Sequence, residues 1–158
     1  MGRARVNRRR LRLNAARIKL VMVAGKDPIL DFKGGHGTYV RAYARAACRA
    51  GYAPELFCMG RAGPPIGSEY GRIHRVPTPF SAWGRGEPPS VRSRNAFYHV
   101  PLLCRAIHRF LRDETGPVLI HGFGVWSAAG ARVAEARRRR GLPTRCVANC
   151  YTVYREEY

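Results

Sequence analysis

The sequence predicts an α/β fold: a Rossmann-like parallel sheet with helices on both faces and the first strand central. Short apolar runs, typical of strands buried on both faces, alternate with segments whose apolar residues recur at helical spacing. Turns rich in Gly and Pro separate these segments, and this βαβ rhythm favours parallel strands joined by crossover helices. With 158 residues, the chain is long enough to bury the core of one such domain.

The first strand–turn–helix unit holds the most informative stretch. Residues 18–24 are an apolar run typical of a buried strand, and from Thr38 apolar residues recur at helical spacing until Gly51, a helix-stop signal. Between them lies a glycine-rich turn that ends in Gly34, Gly35, His36, Gly37 and Thr38. Glycines let a ligand approach the backbone, and the free N–H groups of a helix N-terminus attract anions. The turn is either an anion-binding loop or a connection that needs glycine only for its shape.

The remaining elements follow in the same alternation. Four further strands are predicted from short apolar runs, at residues 55–59, 73–76, 118–121 and 144–149. A helix is expected to begin or kink at Pro101. Its predicted buried face carries Leu103, Ile107, Phe110 and Leu111. Another helix is expected over residues 126–140, with Gly141 as its end. Residues 60–71, rich in Gly and Pro, are expected to form a loop.

The formal net charge of +19 comes almost entirely from arginine, because Lys19, Lys26 and Lys33 are the only lysines. Such an excess is typical of proteins that bind nucleic acid, anionic membranes or phosphorylated substrates. However, the arginines are scattered, and those at 132 and 137–140 are expected on exposed helix faces. Arginine and alanine richness is equally typical of a GC-rich genome, so the charge alone selects no partner.

Cysteine usage and hydropathy bear on compartment and cofactors. The five cysteines are an odd number without a CxxC pair, which argues against a disulfide framework and a zinc site. Reduced thiols suit the cytoplasm, and no apolar run approaches the roughly 20 residues of a membrane span. We expect no metal and no cofactor. Residues 1–16 predict a basic, disordered arm, for which binding to anionic lipid stays open, and the domain spans residues 17–158.

Two longer runs invite comparison with known families: GGHGTYVRAYARAACRAGYAPELFCMG, which starts at Gly34, and PVLIHGFGVWSAAGARVAEARRRRGLPTRCVANCYT, which starts at Pro117. Both resemble the N-terminal, acceptor-side domain of the retaining glycosyltransferases of family 4, which have the GT-B fold. The similarity covers about residues 18–152. It implies a function in moving a sugar from a nucleotide-sugar donor to an acceptor, with this half contributing acceptor and diphosphate contacts.

The resemblance also implies roles for individual positions. Gly34 and Gly35 match the family's glycine loop, which lies at the donor diphosphate and the acceptor. The residues that follow in the same loop, His36, Gly37 and Thr38, are expected to share this role. Because loops that follow parallel strands emerge at one edge of the sheet, where ligands bind, we expect this loop at the carboxyl edge.

The catalytic candidate that the resemblance implies is His121, which matches the first histidine of the family's H-x-H pattern. Phe123 stands in place of the second histidine, and Tyr151 stands where a histidine often follows the fifth strand. We expect both beside the substrate. On physical grounds, His121 is either a donor to a sugar hydroxyl or phosphate oxygen, or a histidine that hydrogen-bonds to the backbone at the end of a strand.

A GT-B enzyme has a second Rossmann-like domain, which in this family holds the nucleotide and carries an E-x7-E motif. The sequence has no such motif, since Glu156 and Glu157 are adjacent and neither has a glutamate eight residues away. We therefore expect that a C-terminal nucleotide-sugar domain is missing and that these residues alone are inactive. The expected location is the cytoplasm, with peripheral contact at the inner face of an anionic membrane left open.

Two alternatives of other classes stay open. A dinucleotide-binding Rossmann domain needs G-x-G-x-x-G directly after the first strand and an acidic residue at the end of the second. Here the first strand ends near Gly25, and Met59 at the end of the second is followed by Gly60 and Arg61. A basic nucleic-acid-binding module is the other alternative, although no helix-turn-helix or RNA-binding motif is evident and no specific nucleic acid is expected.

Overall fold

The computed structural model describes residues 18–25, 27–29, 35–77 and 89–149, with the backbone alone for residues 35–36 and 89–97. Six strands form one sheet: β1 (Lys19–Val23), β2 (Glu55–Met59), β3 (Ile66–Ser68), β4 (Gly71–Val76), β5 (Val118–Phe123) and β6 (Thr144–Asn149). Their order is β3-β4-β2-β1-β5-β6. All neighbours are parallel except β3 and β4. The predicted central position of the first strand is confirmed, because β1 pairs with β2 and β5.

Helices cover both faces of the sheet, which confirms the predicted fold class. Within the described residues the α-helices are α1 (Gly35–Arg49), α2 (Pro89–Phe110) and α3 (Ser127–Arg139). Side chains alternate along β1, because successive residues of a strand point to opposite faces. Val21 and Val23 join the core beneath α2 and α3, whereas Leu20 and Met22 join a second core that includes Val40 of α1.

The topology places a switch point at one edge of the sheet. From β1 the chain crosses to β2 through α1 on one face, and from β5 it crosses to β6 through α3 on the other face. The helices that follow β1 and β5 therefore lie on opposite faces of the sheet, although the two strands are neighbours. Ligands in open α/β sheets bind at such a switch point.

The predicted loop over residues 60–71 is wrong in part, because it contains β3, which pairs antiparallel with β4. A three-residue strand that includes Gly67 and the exposed Ile66 is too short for an alternating pattern to show. The hairpin turn, Glu69 and Tyr70, is followed by Gly71, whose φ is +95° and where a Cβ would lie 2.2 Å from the Pro54 carbonyl oxygen. Only glycine fits there, and β4 begins at this residue, two positions before the predicted start.

One helix begins earlier than predicted, and another continues through a proline. Helix α1 starts at Gly35 rather than Thr38, so part of the glycine-rich turn is its first turn. Helix α2 starts at Pro89 and contains the exposed Pro101, which removes one helical hydrogen bond without ending the helix. The predicted buried face of α2 is confirmed for Leu103, Ile107 and Leu111, while Phe110 is only partly buried. Gly51 and Gly141, both with positive φ, follow α1 and α3 as predicted.

The prediction that Arg137 lies on an exposed helix face is wrong, since this residue is only 2% exposed. It lies one turn after the buried Val133, on the face of α3 that packs inward. Its Nε donates to the Thr144 hydroxyl at 3.0 Å, and its Nη1 donates to the carbonyl oxygens of Leu111 and Glu114 at 3.1 and 2.9 Å. Burial lowers the pKa of this guanidinium, which is still fully charged near neutral pH.

Some predictions fall on parts of the chain that the structure does not cover. The basic arm, residues 1–16, lies outside the described residues, as do Gly34 and Tyr151. Within the described part of the chain, none of the helices has the length and hydropathy that a bilayer crossing would require.

Candidate functional site at the carboxyl edge

The connections that leave β1 and β5 touch each other at the carboxyl edge. Gly25 lies just after β1, and Trp126 ends the single turn of 3-10 helix that follows β5. A Cβ on Gly25 would lie 2.1 Å from the Trp126 indole, so a side chain at this position would displace the ring. Trp126 is 7% exposed and belongs to the core beneath α2 and α3. This contact fixes the two connections relative to each other, and Trp126 acts as a packing residue.

An ion pair joins the connection after β1 to β4, which lies two strands away in the sheet. Asp27 Oδ2 accepts a hydrogen bond from Nε of Arg75, on β4, at 2.5 Å, and the two side chains are only 6% and 14% exposed. The other carboxylate oxygen, Oδ1, accepts the backbone N–H of Ile29 at 2.8 Å. Both oxygens are therefore engaged, one with a strand and one with the connection itself.

The same connection is also bonded to α1. Arg41 donates to the Pro28 carbonyl oxygen at 3.1 Å and to the Thr38 hydroxyl at 3.2 Å. The first turn of α1 thus lies at the carboxyl edge, as the parallel topology predicts, and it carries no acidic residue. Helix N-termini present unpaired backbone N–H groups and a partial positive charge, so this turn is suited to an anion.

His121 lies near the end of β5, on the face that α1 covers. Its ring stacks on Phe123 at 4.4 Å and 20°, and Tyr43 of α1 meets it edge-on at 5.0 Å and 87°. Phe123 is fully buried, whereas Tyr43 is 41% exposed. His121 Nε2 is buried and has no hydrogen-bond partner among the residues that the structure describes. Loss of solvation lowers the pKa of His121, so its imidazole is neutral at pH 7.

The predicted site residues separate into two groups. Gly35, His36, Gly37 and Thr38 form the first turn of α1, and Thr38 is exposed. His121 and Phe123 form the second group with Tyr43. Because Tyr43 is eight residues after Gly35, the second group lies about 12 Å along the helix axis.

Sequence reasoning missed several residues of this edge. Tyr43 belongs to the apolar residues that recur at helical spacing in α1, but periodicity cannot show that His121 lies under the helix. Asp27 and Arg75 are 48 positions apart, and no local pattern pairs them. The sequence does carry one signal for the turn after β5, the closely spaced Gly122 and Gly124. The structure explains both: a Cβ on Gly122 would lie 2.4 Å from Ser127 Cα, and φ of Gly124 is +59°.

The described part of the chain contains no group of three or more His, Cys, Asp or Glu residues placed to hold a metal ion. The site therefore consists of backbone N–H groups, a neutral imidazole and an exposed phenol. These are hydrogen-bonding groups that suit hydroxyl and phosphate oxygens.

Comparison with known proteins bears on this arrangement. A family described as "Glycosyl transferase 4-like domain" matches residues 34–157. Among solved structures, sucrose-phosphate synthase from Thermosynechococcus elongatus is similar, with a TM-score of 0.61 and 19% sequence identity. The match covers 87% of this chain and 34% of that chain. The chain thus spans about a third of the length of that protein and shares its fold over that part, as expected for half of a GT-B structure. No protein with a curated description matches the sequence.

Proposed function

The chain belongs to the glycosyl transferase 4-like family, and from this membership we propose that it supplies the acceptor- and diphosphate-contacting half of a glycosyltransferase that uses a nucleotide-sugar donor. The observation that carries the proposal is the carboxyl edge. There, one face of the sheet holds both the glycine-rich first turn of α1 and the buried, unpaired Nε2 of His121.

In this proposal the donor diphosphate lies at the first turn of α1. We expect Gly34, Gly35 and Gly37 to let a phosphate approach the backbone closely, because glycine has no side chain to hold it away. The partial positive charge of the backbone N–H groups is not offset by an acidic side chain in the turn. His36 and Thr38 are proposed to complete the contacts to the phosphate oxygens or the acceptor.

His121 is proposed to hydrogen-bond a sugar hydroxyl or a phosphate oxygen through Nε2. A neutral imidazole can donate from one nitrogen and accept at the other, and loss of solvation favours this form. Phe123 does not reach solvent, so its proposed role is to hold the imidazole by stacking. Tyr43 borders the same position, and Tyr151, which follows β6, is proposed to close the site from the next connection.

The nucleotide itself is proposed to bind to a second α/β domain with an E-x7-E motif, which faces this edge in the active enzyme. Without that domain the donor has no nucleotide pocket, and we expect no sugar transfer. The cytoplasm is the proposed location, because Cys48, Cys58, Cys104 and Cys146 are free thiols.

The test joins residues 1–158 to the C-terminal domain of a family 4 glycosyltransferase and measures nucleoside diphosphate release from UDP-glucose and GDP-mannose. We expect release by the fusion and none by the 158 residues alone. In the fusion, Gly35→Val should lower kcat/KM by at least about tenfold, or ~1.4 kcal/mol of transition-state stabilisation, because it places a branched side chain against the diphosphate.

The matched control is Gly63→Val in the same fusion. A Cβ on Gly63 has nothing within 4 Å, so this variant should retain full kcat/KM. Thermal melts check that both variants fold. Sugar transfer by the 158 residues alone would contradict the proposal that a second domain is needed to bind the nucleotide. Equal kcat/KM for folded Gly35→Val and Gly63→Val would show that the glycine turn is only a connection.

A further inference from the structure

Arg75, near the carboxyl end of β4, uses only part of its guanidinium in the contacts described above. Its Nε donates to Asp27, and no hydrogen bond or ion pair among the described residues engages Nη1 or Nη2. The side chain is 14% exposed, and neither Nη atom belongs to the fully buried polar atoms that lack a partner. The two Nη groups therefore reach solvent. They present a planar fork of N–H donors, which matches two oxygens of a carboxylate or a phosphate.

Two contacts hold this side chain in place. Gly60, which follows β2, gives the stem room: a Cβ on Gly60 would lie 3.2 and 3.3 Å from Cγ and Cδ of Arg75. Beyond the stem, the Asp27 carboxylate holds Nε. An exposed arginine such as Arg72, with 61% of its side chain exposed, loses more conformational freedom when it binds a ligand. Arg75 is already ordered, so its Nη groups can bind an anion at a smaller entropic cost.

The carboxyl edge around Arg75 carries more positive than negative charge. Arg41 donates to the carbonyl oxygen of Pro28, so a second guanidinium borders the connection after β1. The exposed Arg61 lies two residues after β2. Asp27 supplies the one carboxylate that the described residues place at this edge, and an excess of positive charge favours an anionic ligand. The other described acidic residues lie near the amino ends of strands or in α3: Glu55, Glu69, Asp113, Glu114 and Glu135.

Arg75 and His121 lie on the same face of the sheet but on opposite sides of β1. Arg75 is in register with Cys58, which joins the core beneath α1, and His121 lies on that face as well. Since β2 and β1 separate β4 from β5, the two backbone positions are about 14 Å apart. We therefore expect the group that binds at Arg75 to belong to a different part of the bound substrates from the group at His121.

We propose that Arg75 binds a carboxylate or phosphate group of the acceptor, which makes the acceptor an anionic molecule. In the proposed function the donor diphosphate already has the backbone N–H groups of the first turn of α1, so the anion at Arg75 is assigned to the other substrate. This assignment to the acceptor rests on the proposed function, whereas the anion site itself is testable without sugar transfer.

The first test titrates the 158-residue chain with inorganic phosphate and follows the NMR signals of the backbone amides and of the arginine Nε–H groups. A concentration of about 0.15 M NaCl screens weak binding to the surface. We expect saturable shifts at residues 27–29 and at Nε–H of Arg75. Arg75→Lys keeps a positive charge beside Asp27 but removes the fork, so the affinity for phosphate should fall by at least about tenfold.

The matched control is Arg72→Lys, the same substitution on the same strand at an exposed position. This variant should bind phosphate within about twofold of the unaltered chain, and thermal melts check that both variants fold. Equal phosphate affinities of Arg75→Lys and Arg72→Lys would show that Arg75 is not a ligand and would overturn the proposal. Shifts centred on residues 37–40 would place the phosphate at the first turn of α1 and would overturn it as well.

The second test separates the acceptor from the donor by measuring, with calorimetry, how UDP-glucose binds to the fusion described above. Arg75→Lys should leave this affinity within about twofold, because the anion at Arg75 is not part of the donor. A loss of about tenfold would assign Arg75 to the donor diphosphate and rule out the acceptor. A fusion that binds no UDP-glucose would contradict the proposed function, and the phosphate titration would still decide whether Arg75 holds an anion.

Discussion

Two arginines with little solvent exposure, one near each edge of the sheet, form hydrogen bonds of opposite kinds. Arg75 at the carboxyl edge pairs with the carboxylate of Asp27. Arg137 at the amino edge is 2% exposed, and its described bonds go only to a hydroxyl and to backbone carbonyl oxygens. The first contact positions a connection that borders the candidate site, whereas the second joins two helix ends. The Arg75 contact thus positions a segment beside the candidate site, and the Arg137 contacts stabilise the packing of the two helix ends.

The largest effect is expected from breaking the framework contact. Arg137→Met keeps most of the apolar stem of the side chain but removes every donor. It leaves buried acceptors around Leu111 and Glu114 without a partner. We expect the free energy of unfolding to fall by about 3 kcal/mol, as measured by urea denaturation.

Arg138→Met is the matched control for this prediction, because Arg138 is exposed and bonds only to Glu135. Its expected loss is within ~0.5 kcal/mol. If both variants lost the same stability, the buried bonds of Arg137 would not be what holds the helix ends together.

A smaller effect is expected at the carboxyl edge. Asp27→Asn retains a side-chain oxygen that can accept from Ile29 but leaves the Arg75 guanidinium, 14% exposed, without its counter-charge. We expect a loss of about 2 kcal/mol in the free energy of unfolding. Hydrogen exchange should rise at residues 27–29 and leave α3 unchanged.

One outcome would remove this difference between the contacts of Arg75 and Arg137. If Asp27→Asn increased exchange throughout α3 as well, the ion pair would be a framework contact like that of Arg137. Glu69→Gln supplies the control, because its partner Arg45 is exposed, and this variant should leave exchange at residues 27–29 unchanged.

The smallest effect concerns pH at the candidate site. Loss of solvation lowers the pKa of His121 in the folded state, so the unfolded chain binds a proton more readily. Stability from the neutral ring is therefore complete above the unfolded pKa of about 6.5 and is lost as the pH falls below it. Between pH 7.5 and 5.5, His121→Phe should lose less stability than the unaltered chain by roughly 0.5 kcal/mol, after partial solvent access is allowed for.

Because His99 and His108 also have lowered pKa values through burial, the test compares His121→Phe with the unaltered chain in thermal melts across this pH range. Identical acid destabilisation of His121→Phe and the unaltered chain would show that His121 is not held neutral by the fold.

Much of the fold follows from local sequence, because turn residues mark the ends of the elements that were predicted correctly. β2 and β6 have the predicted bounds because each is a continuous run between turn residues. Helix α3 ends as predicted because Gly141 adopts a positive φ, which favours glycine. By contrast, β3 is too short for a period to emerge, and Pro101 shows that one imino acid on an exposed face does not end a long helix.

The site was less accessible to prediction, since its geometry comes from contacts between distant segments. The sequence suggested His121 as a candidate, but its contact with Tyr43 depends on where α1 crosses the sheet. The pairing of Asp27 with Arg75 and the burial of Arg137 depend on the strand order and the helix packing, which periodicity does not encode. Roles for Gly34, Gly35, His36, Gly37, Thr38, Phe123 and Tyr151 remain predictions.

The central position of β1 also has a consequence for synthesis. Its partner on one side, β2, follows soon after it, but on the other side Lys19 pairs with Val118 of β5. At a translation rate of roughly 5–20 residues per second, about 5–20 s separate the emergence of these two strands from the ribosome. During this interval the most apolar strand of the sheet has one side without a neighbour. The nascent chain is therefore most prone to aggregate, and most in need of a chaperone, at the segment that becomes the best protected in the native protein.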